Sequence, residues 1–115
     1  MKKEAVKNNL TVAFSTIDNI ENARKIAQSL VKNHIVACVN IIRNIESIYF
    51  WDDQVCQEPE VLLIMKTCDE NVETLKKELP KLHPYEVPEL IFFSPKDGLP
   101  DYLKWVVATT EKINE

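Results

Sequence analysis

Residues 81–90 read KLHPYEVPEL and hold the densest set of side chains able to do chemistry: His83, Tyr85, Glu86 and Glu89, strung between Pro84 and Pro88. An imidazole near carboxylates can ligate a divalent cation or move a proton near neutral pH. The prolines disfavour helix at His83 and Val87, so the stretch is expected to be extended. Extended, His83 and Glu89 point the same way but lie about 19 Å apart, while ligands of one metal sit only ~2 Å from it. A site that uses both therefore needs a bend in the segment or two subunits. The competing role for His83 is structural, as a helix-ending residue bonded to backbone carbonyls, and the residues alone favour it.

The rest of the chain offers less. It contains no phosphate-cradling glycine loop, no HExxH, no GxSxG and no nucleophile with a visible base, so it is expected not to be an enzyme. Cys38, Cys56 and Cys68 are odd in number and far apart, which suggests neither a disulfide scaffold nor a structural zinc site and excludes an iron-sulfur cluster. Cys38 and Cys68 are expected to be buried and Cys56 exposed. Lys66 ends an apolar run and needs a carboxylate partner there, with Glu60 or Glu89 as candidates. Tyr49, Trp51, Tyr85, Tyr102 and Trp105 suit partly wet interfaces, because each ring carries one polar tip.

The elements that must position these groups are legible. The sequence of 115 residues suffices for one domain, with residues 1–9 as a flexible start and 10–115 as the folded unit. Residues 10–15 read as a strand. A helix follows, capped by Asp18 with Glu21 and closed by His34. Residues 36–42 and 45–51 read as strands about a turn at Arg43-Asn44. A second turn at residues 52–54 leads into a strand through 60–67, with Pro59 at a bulge or edge. Asp69 is expected to cap a second helix that Pro80 tightens at its end. Residues 89–93 form the last strand, and Pro100 opens a helix over 101–113.

That order is β-α-β-β-α-β plus one helix, an α+β, ferredoxin-like antiparallel sheet with two helices on one face. Such a sheet with one wet face should alternate apolar and polar residues, yet 61–65 and 90–93 are apolar throughout. Both faces must then be covered, which predicts a tight homo-oligomer. Lysines are scattered among acids in a chain of formal net charge -4, which argues against a nucleic-acid partner. No apolar run approaches a membrane span and no leader is evident, so a cytoplasmic location is expected.

Taken together, residues 36–41 (VACVNI), 47–51 (SIYFW), 60–67 (EVLLIMKT), 82–90 (LHPYEVPEL) and 100–105 (PDYLKW) closely resemble the CutA family of divalent-cation-tolerance proteins. The likeness runs from about Leu10 to Val107. It implies a compact homotrimer with sheets extended across subunits, a link to tolerance of copper and other divalent cations, and a binding or scaffold role. It also implies a competing reading, because the family's trimer resembles that of the PII signalling proteins. In that reading an effector or catalytic site lies in an intersubunit cleft lined by Tyr49, Trp51, Lys66, His83, Tyr85, Glu86 and Glu89, with Tyr102 and Trp105 nearby.

The departures from the family bear on metal binding. Copper-binding bacterial members carry a cysteine near the end of the first strand and paired histidines before the Pro-Tyr. This chain has Ser15 and Leu82-His83, so only His83 carries over as a metal ligand, and the thiolate and second imidazole that copper prefers are gone. The usual Trp-acid-Gly-Lys turn is Trp51-Asp52-Asp53-Gln54, Ile17 stands where a proline is frequent, and Leu99 replaces a helix-capping asparagine.

Overall fold

A computed structural model describes residues 9–111. The first eight residues of the expected flexible start, and the end of the expected last helix at 112–113, lie outside them. Asn9 is held, its carbonyl accepting the Asp69 N–H at 2.7 Å.

The elements run β1 (Leu10–Ile17), α1 (Ile20–Lys32), β2 (Cys38–Trp51), β3 (Gln54–Cys68), a 3-10 turn (Asp69–Asn71), α2 (Val72–Leu82), β4 (Ile91–Phe93) and α3 (Pro100–Glu111). The strands form one antiparallel sheet in the order β2-β3-β1-β4, the split β-α-β arrangement. Thr11, Ala13, Ser15 and Ile17 of β1 face one side, where Ala13 and Ile17 pack with Leu63 and Met65 of β3, Ile26 and Leu30 of α1, and Leu75 and Leu79 of α2. The opposite face is only part covered. Val106 and Leu103 of α3 pack on Leu10, Val12 and Ala37. Beyond them Phe14 meets Phe93 at 4.8 Å, and Ile91 and Phe93 stay exposed.

Several local expectations are corrected. Asn19, not Asp18, caps α1, its Oδ1 accepting the Asn22 N–H at 2.8 Å, while Asp18 accepts from the Asn22 side chain. Asp69 caps no helix. Its carboxylate accepts the Thr11 hydroxyl, tying the end of β3 to β1. Pro80, by contrast, lies where it was expected, in the last turn of α2, which ends at Leu82 and closes with the His83 N–H on Leu79 O at 3.1 Å. His34 closes α1 as expected, through its backbone: its N–H bonds Val31 O at 3.0 Å and the Ile35 N–H bonds Leu30 O at 3.0 Å. His34 takes the left-handed conformation (φ 60°) beyond the helix end, and its Nδ1 bonds Thr109 O of α3 at 3.1 Å.

The largest correction concerns β2. Arg43-Asn44 is no hairpin turn but a bulge inside one 14-residue strand, with Asn44 in the left-handed conformation (φ 60°). The chain reverses at Asp52-Asp53, both left-handed (φ 54° and 61°), the two-residue turn whose twist matches antiparallel strands. Because β1 pairs only with residues 61–68 of β3, residues 45–60 form a two-stranded ribbon that projects past the sheet. The subunit is accordingly elongated, 59 × 28 × 22 Å. No helix among the described residues is long and apolar enough to cross a membrane.

Candidate functional site

Where the ribbon leaves the sheet, a groove of about 700 Å³ opens between it and residues 85–89. Register explains its composition. Tyr49 pairs with Cys56, Ser47 with Glu58 and Ile45 with Glu60, so alternation brings one face of these positions together. Glu46, Glu58 and Glu60 come from the ribbon, and Glu86 and Glu89 from the proline segment. Tyr49, Trp51 and Tyr85 supply the aromatic walls, and among the described residues no Lys, Arg or His lines the groove.

The proline segment does not run straight. It bends through residues 84–87, and the bend brings His83 and Glu89 to one residue. His83 Nε2 lies 2.8 Å from Thr16 O, and Glu89 Oε1 accepts the Thr16 hydroxyl at 3.3 Å. His83 Nδ1 accepts the Tyr85 N–H at 3.1 Å, and the two rings meet edge to face at 4.7 Å. His83 is only 7% exposed. Both ring nitrogens are thus bonded to backbone, the structural role weighed above, and a metal would have to displace one of these bonds.

Tyr85 carries the segment onto β3. Its hydroxyl donates to Glu60 Oε2 at 2.5 Å, and Glu60 is only 8% exposed. Burial, then this hydrogen bond and the negative charge of Glu60, push the Tyr85 phenol well above its ordinary range. The Tyr49 phenol moves the same way, by partial burial first and then by its hydrogen bond to Glu58. Two phenols therefore sit against two carboxylates in one groove.

The expected cleft residues divide. Tyr49, Trp51, Tyr85, Glu86 and Glu89 line the groove, and His83 stands behind Tyr85. Lys66 is elsewhere. It pairs with Val12 and Cys38 across the sheet, on the side opposite α1 and α2, and its ammonium donates to Asn40 Oδ1 rather than to Glu60 or Glu89. Tyr102 and Trp105 stack on α3 at 5.8 Å, away from the groove. All three thiols are free, but Cys38 and Cys56 are half-buried, so neither lies where it was expected, while Cys68 is buried. Sequence reasoning missed Thr16, Glu46 and Glu58: the two glutamates become visible only once residues 43–44 are placed inside a continuous strand, and Thr16 only through its tertiary bonds to His83 and Glu89. Among the described residues no three His, Cys, Asp or Glu side chains converge closely enough to hold a metal ion.

Comparison with known proteins gives this arrangement a context. Residues 11–109 match the model of the CutA1 divalent ion tolerance protein family. The divalent-cation tolerance protein CutA of Pyrococcus horikoshii is 34% identical over 103 residues, which span 90% of this chain and all of that protein. Mouse protein CutA is 38% identical over 109 residues, but the chain spans only 62% of its length. The Thermus thermophilus divalent cation tolerance protein superposes with a TM-score of 0.85 at 38% identity, covering 88% of this chain and 98% of that one. A Nostoc structure described as a PII-like protein CutA in apo form gives 0.82 at 38% identity, covering 87% and 96%. On this evidence of sequence and fold together, the chain belongs to the CutA1 divalent ion tolerance family.

Proposed function

We propose that this chain is a binding protein rather than an enzyme, assembled as a cytoplasmic homotrimer, whose groove carboxylates hold a divalent cation. The observation that carries this reading is the lining itself: among the described residues, five glutamates and no basic side chain. An all-oxygen donor set suits hard divalent ions and also accepts Cu(II), which sits highest in the general affinity order, whereas Cu(I) would want the missing thiolate. Because no three donors converge among the described residues of one chain, the proposed site is completed by a neighbouring copy.

Assembly is favoured by the surface. Ile48, Phe50, Trp51 and Val55 on the ribbon and Ile91 and Phe93 on the sheet are all exposed in the single subunit. A two-stranded ribbon is marginal by itself and needs something to pack against. Three copies is the number implied by the family resemblance. Calorimetric titration of metal-free protein with Cu(II) and Mn(II) tests the reading: Glu58→Gln and Glu60→Gln should each weaken binding. Affinity unchanged in both variants would remove the groove from the account.

The aromatic walls favour a second reading, an effector site. Glutamates around Tyr49, Trp51 and Tyr85 select against phosphates and for a cationic or neutral organic molecule. A thermal-shift panel of amines, nucleotides and metal ions separates the two, since only a true ligand raises the melting temperature.

A further inference from the structure

We propose that Asp97-Gly98, in the loop that leads into α3, is a site of spontaneous backbone modification: Asp97 converts to isoaspartate through a succinimide, the change loosens the start of α3, and the product is a substrate for a carboxyl methyltransferase that recognises isoaspartyl residues. Neither residue lines the groove, and no cation takes part.

The chain has one glycine, so only here does an aspartate or asparagine precede a residue without a β-carbon, which leaves the following backbone nitrogen unhindered. Asp97 and Gly98 are both exposed and lie outside helix and strand, so water reaches them and no regular structure locks the backbone. The Gly98 N–H donates to Asp97 Oδ1 at 2.8 Å, and no backbone carbonyl among the described residues competes for it. The side chain is thus folded over its own C-terminal peptide. That fold holds Asp97 Cγ beside the nitrogen that must attack it, so ring closure starts from a near-attack arrangement.

The step needs no co-reactant. The Gly98 nitrogen loses its proton and bonds to Asp97 Cγ while the protonated carboxyl loses its hydroxyl, and proton and hydroxyl leave together as water. Water then re-enters at one of the two ring carbonyls. Entry at Cγ restores aspartate. Entry at the main-chain carbonyl carbon leaves the chain running through Cγ, one methylene longer, with the former main-chain carbonyl as a free carboxylate. In the methyltransferase an oxygen of that carboxylate takes the methyl group of a sulfonium donor, which departs as the thioether.

The packing carries the change into the fold. A β-carbon on Gly98 would lie 2.9 Å from Leu103 Cδ2, so the loop backbone rests directly on that side chain. Leu103 and Val106 pack on Leu10, Val12 and Ala37, and the Leu103 N–H bonds Leu99 O at 3.1 Å in the first turn of α3. A methylene added one residue ahead of this contact displaces the loop from Leu103 and strains that turn.

The test warms the full chain at neutral pH, digests it, and locates isoaspartate by fragmentation mass spectrometry and by methyl uptake from labelled S-adenosylmethionine with a purified isoaspartyl methyltransferase. Isoaspartate should form about tenfold faster at Asp97 than at Asp52 or Asp53, which are also exposed but precede residues with side chains. Asp97→Glu, which must close a larger ring, should remove the signal, and Asp97→Asn, which closes the same ring by losing ammonia, should raise it. Hydrogen exchange at the Leu103 amide should be faster in the modified fraction than in fresh protein. Isoaspartate no faster at Asp97 than at Asp52 and Asp53, isoaspartate formed in urea but not in the folded protein, methyl uptake undiminished in Asp97→Glu, or unchanged Leu103 exchange would each overturn the proposal.

Discussion

Replacing Tyr85 with phenylalanine deletes one oxygen and keeps the ring that packs on His83. The deleted hydroxyl donates at 2.5 Å to Glu60, a carboxylate 8% exposed, so its loss leaves a nearly buried charge without that donor. Hydrogen bonds to charged groups contribute about 1.5–3 kcal/mol, and that is the expected loss in urea unfolding at neutral pH. A double-mutant cycle with Glu60→Gln should assign most of the loss to the pair. The pH dependence supplies a second signature. The folded-state phenol is raised above its ordinary 10.0, so on raising the pH the unfolded chain releases this proton first. Stability from this group is present in full below about pH 10 and falls as the pH climbs further. Tyr49 and Tyr102 are also raised and add the same sign of slope, but they do so in wild type and variant alike. The wild-type protein should therefore lose more stability between about pH 9 and pH 11 than Tyr85→Phe does. A coupling energy within about 0.5 kcal/mol of zero, together with parallel alkaline slopes, would refute the Tyr85–Glu60 contact.

Three further expectations concern the frame around the groove. Asn71 is fully buried, and its amide nitrogen serves His34 O, Ile35 O and Thr110 O at 3.1–3.2 Å, joining the entry of β2 to the end of α3. Asn71→Ala should cost about 2–4 kcal/mol in chemical unfolding, because these carbonyls lose a common donor. Asp53 holds a left-handed conformation that glycine adopts without strain, so Asp53→Gly should stabilise by about 0.5–1 kcal/mol in the same assay. Phe50 is 67% exposed in the subunit, so Phe50→Glu should leave subunit secondary structure intact by circular dichroism while lowering the subunit number measured by light scattering.

The sequence made the sheet and its helices legible because their periodicities are strong. The order of strands and helices and the apolar run of β3 at residues 61–65 are read correctly. The ribbon was misread for a physical reason. Asn44 is left-handed in the structure, and a left-handed asparagine serves a hairpin turn and a bulge equally well. Local chemistry cannot tell them apart, whereas the cross-strand pairing on either side of residues 43–44 can. That single ambiguity hid the groove, since Glu58 meets Tyr49 only in the register of a continuous strand. Lys66 shows the complementary limit. Its need for a partner was visible, but an amide, Asn40, meets it where a carboxylate was expected. The proline segment was read as extended, and the bend at 84–87 that brings His83 and Glu89 together on Thr16 depends on tertiary contacts with β1 and β3.

The most direct test of the account is native mass spectrometry of metal-free protein titrated with Cu(II), reading subunit number and bound ions together. The account predicts a three-subunit species taking up roughly one ion per subunit, with uptake lost when Glu58 and Glu60 are both replaced by glutamine and retained in His83→Asn. An assembly that stays bare, or uptake that survives loss of both glutamates and disappears with His83 alone, would contradict it.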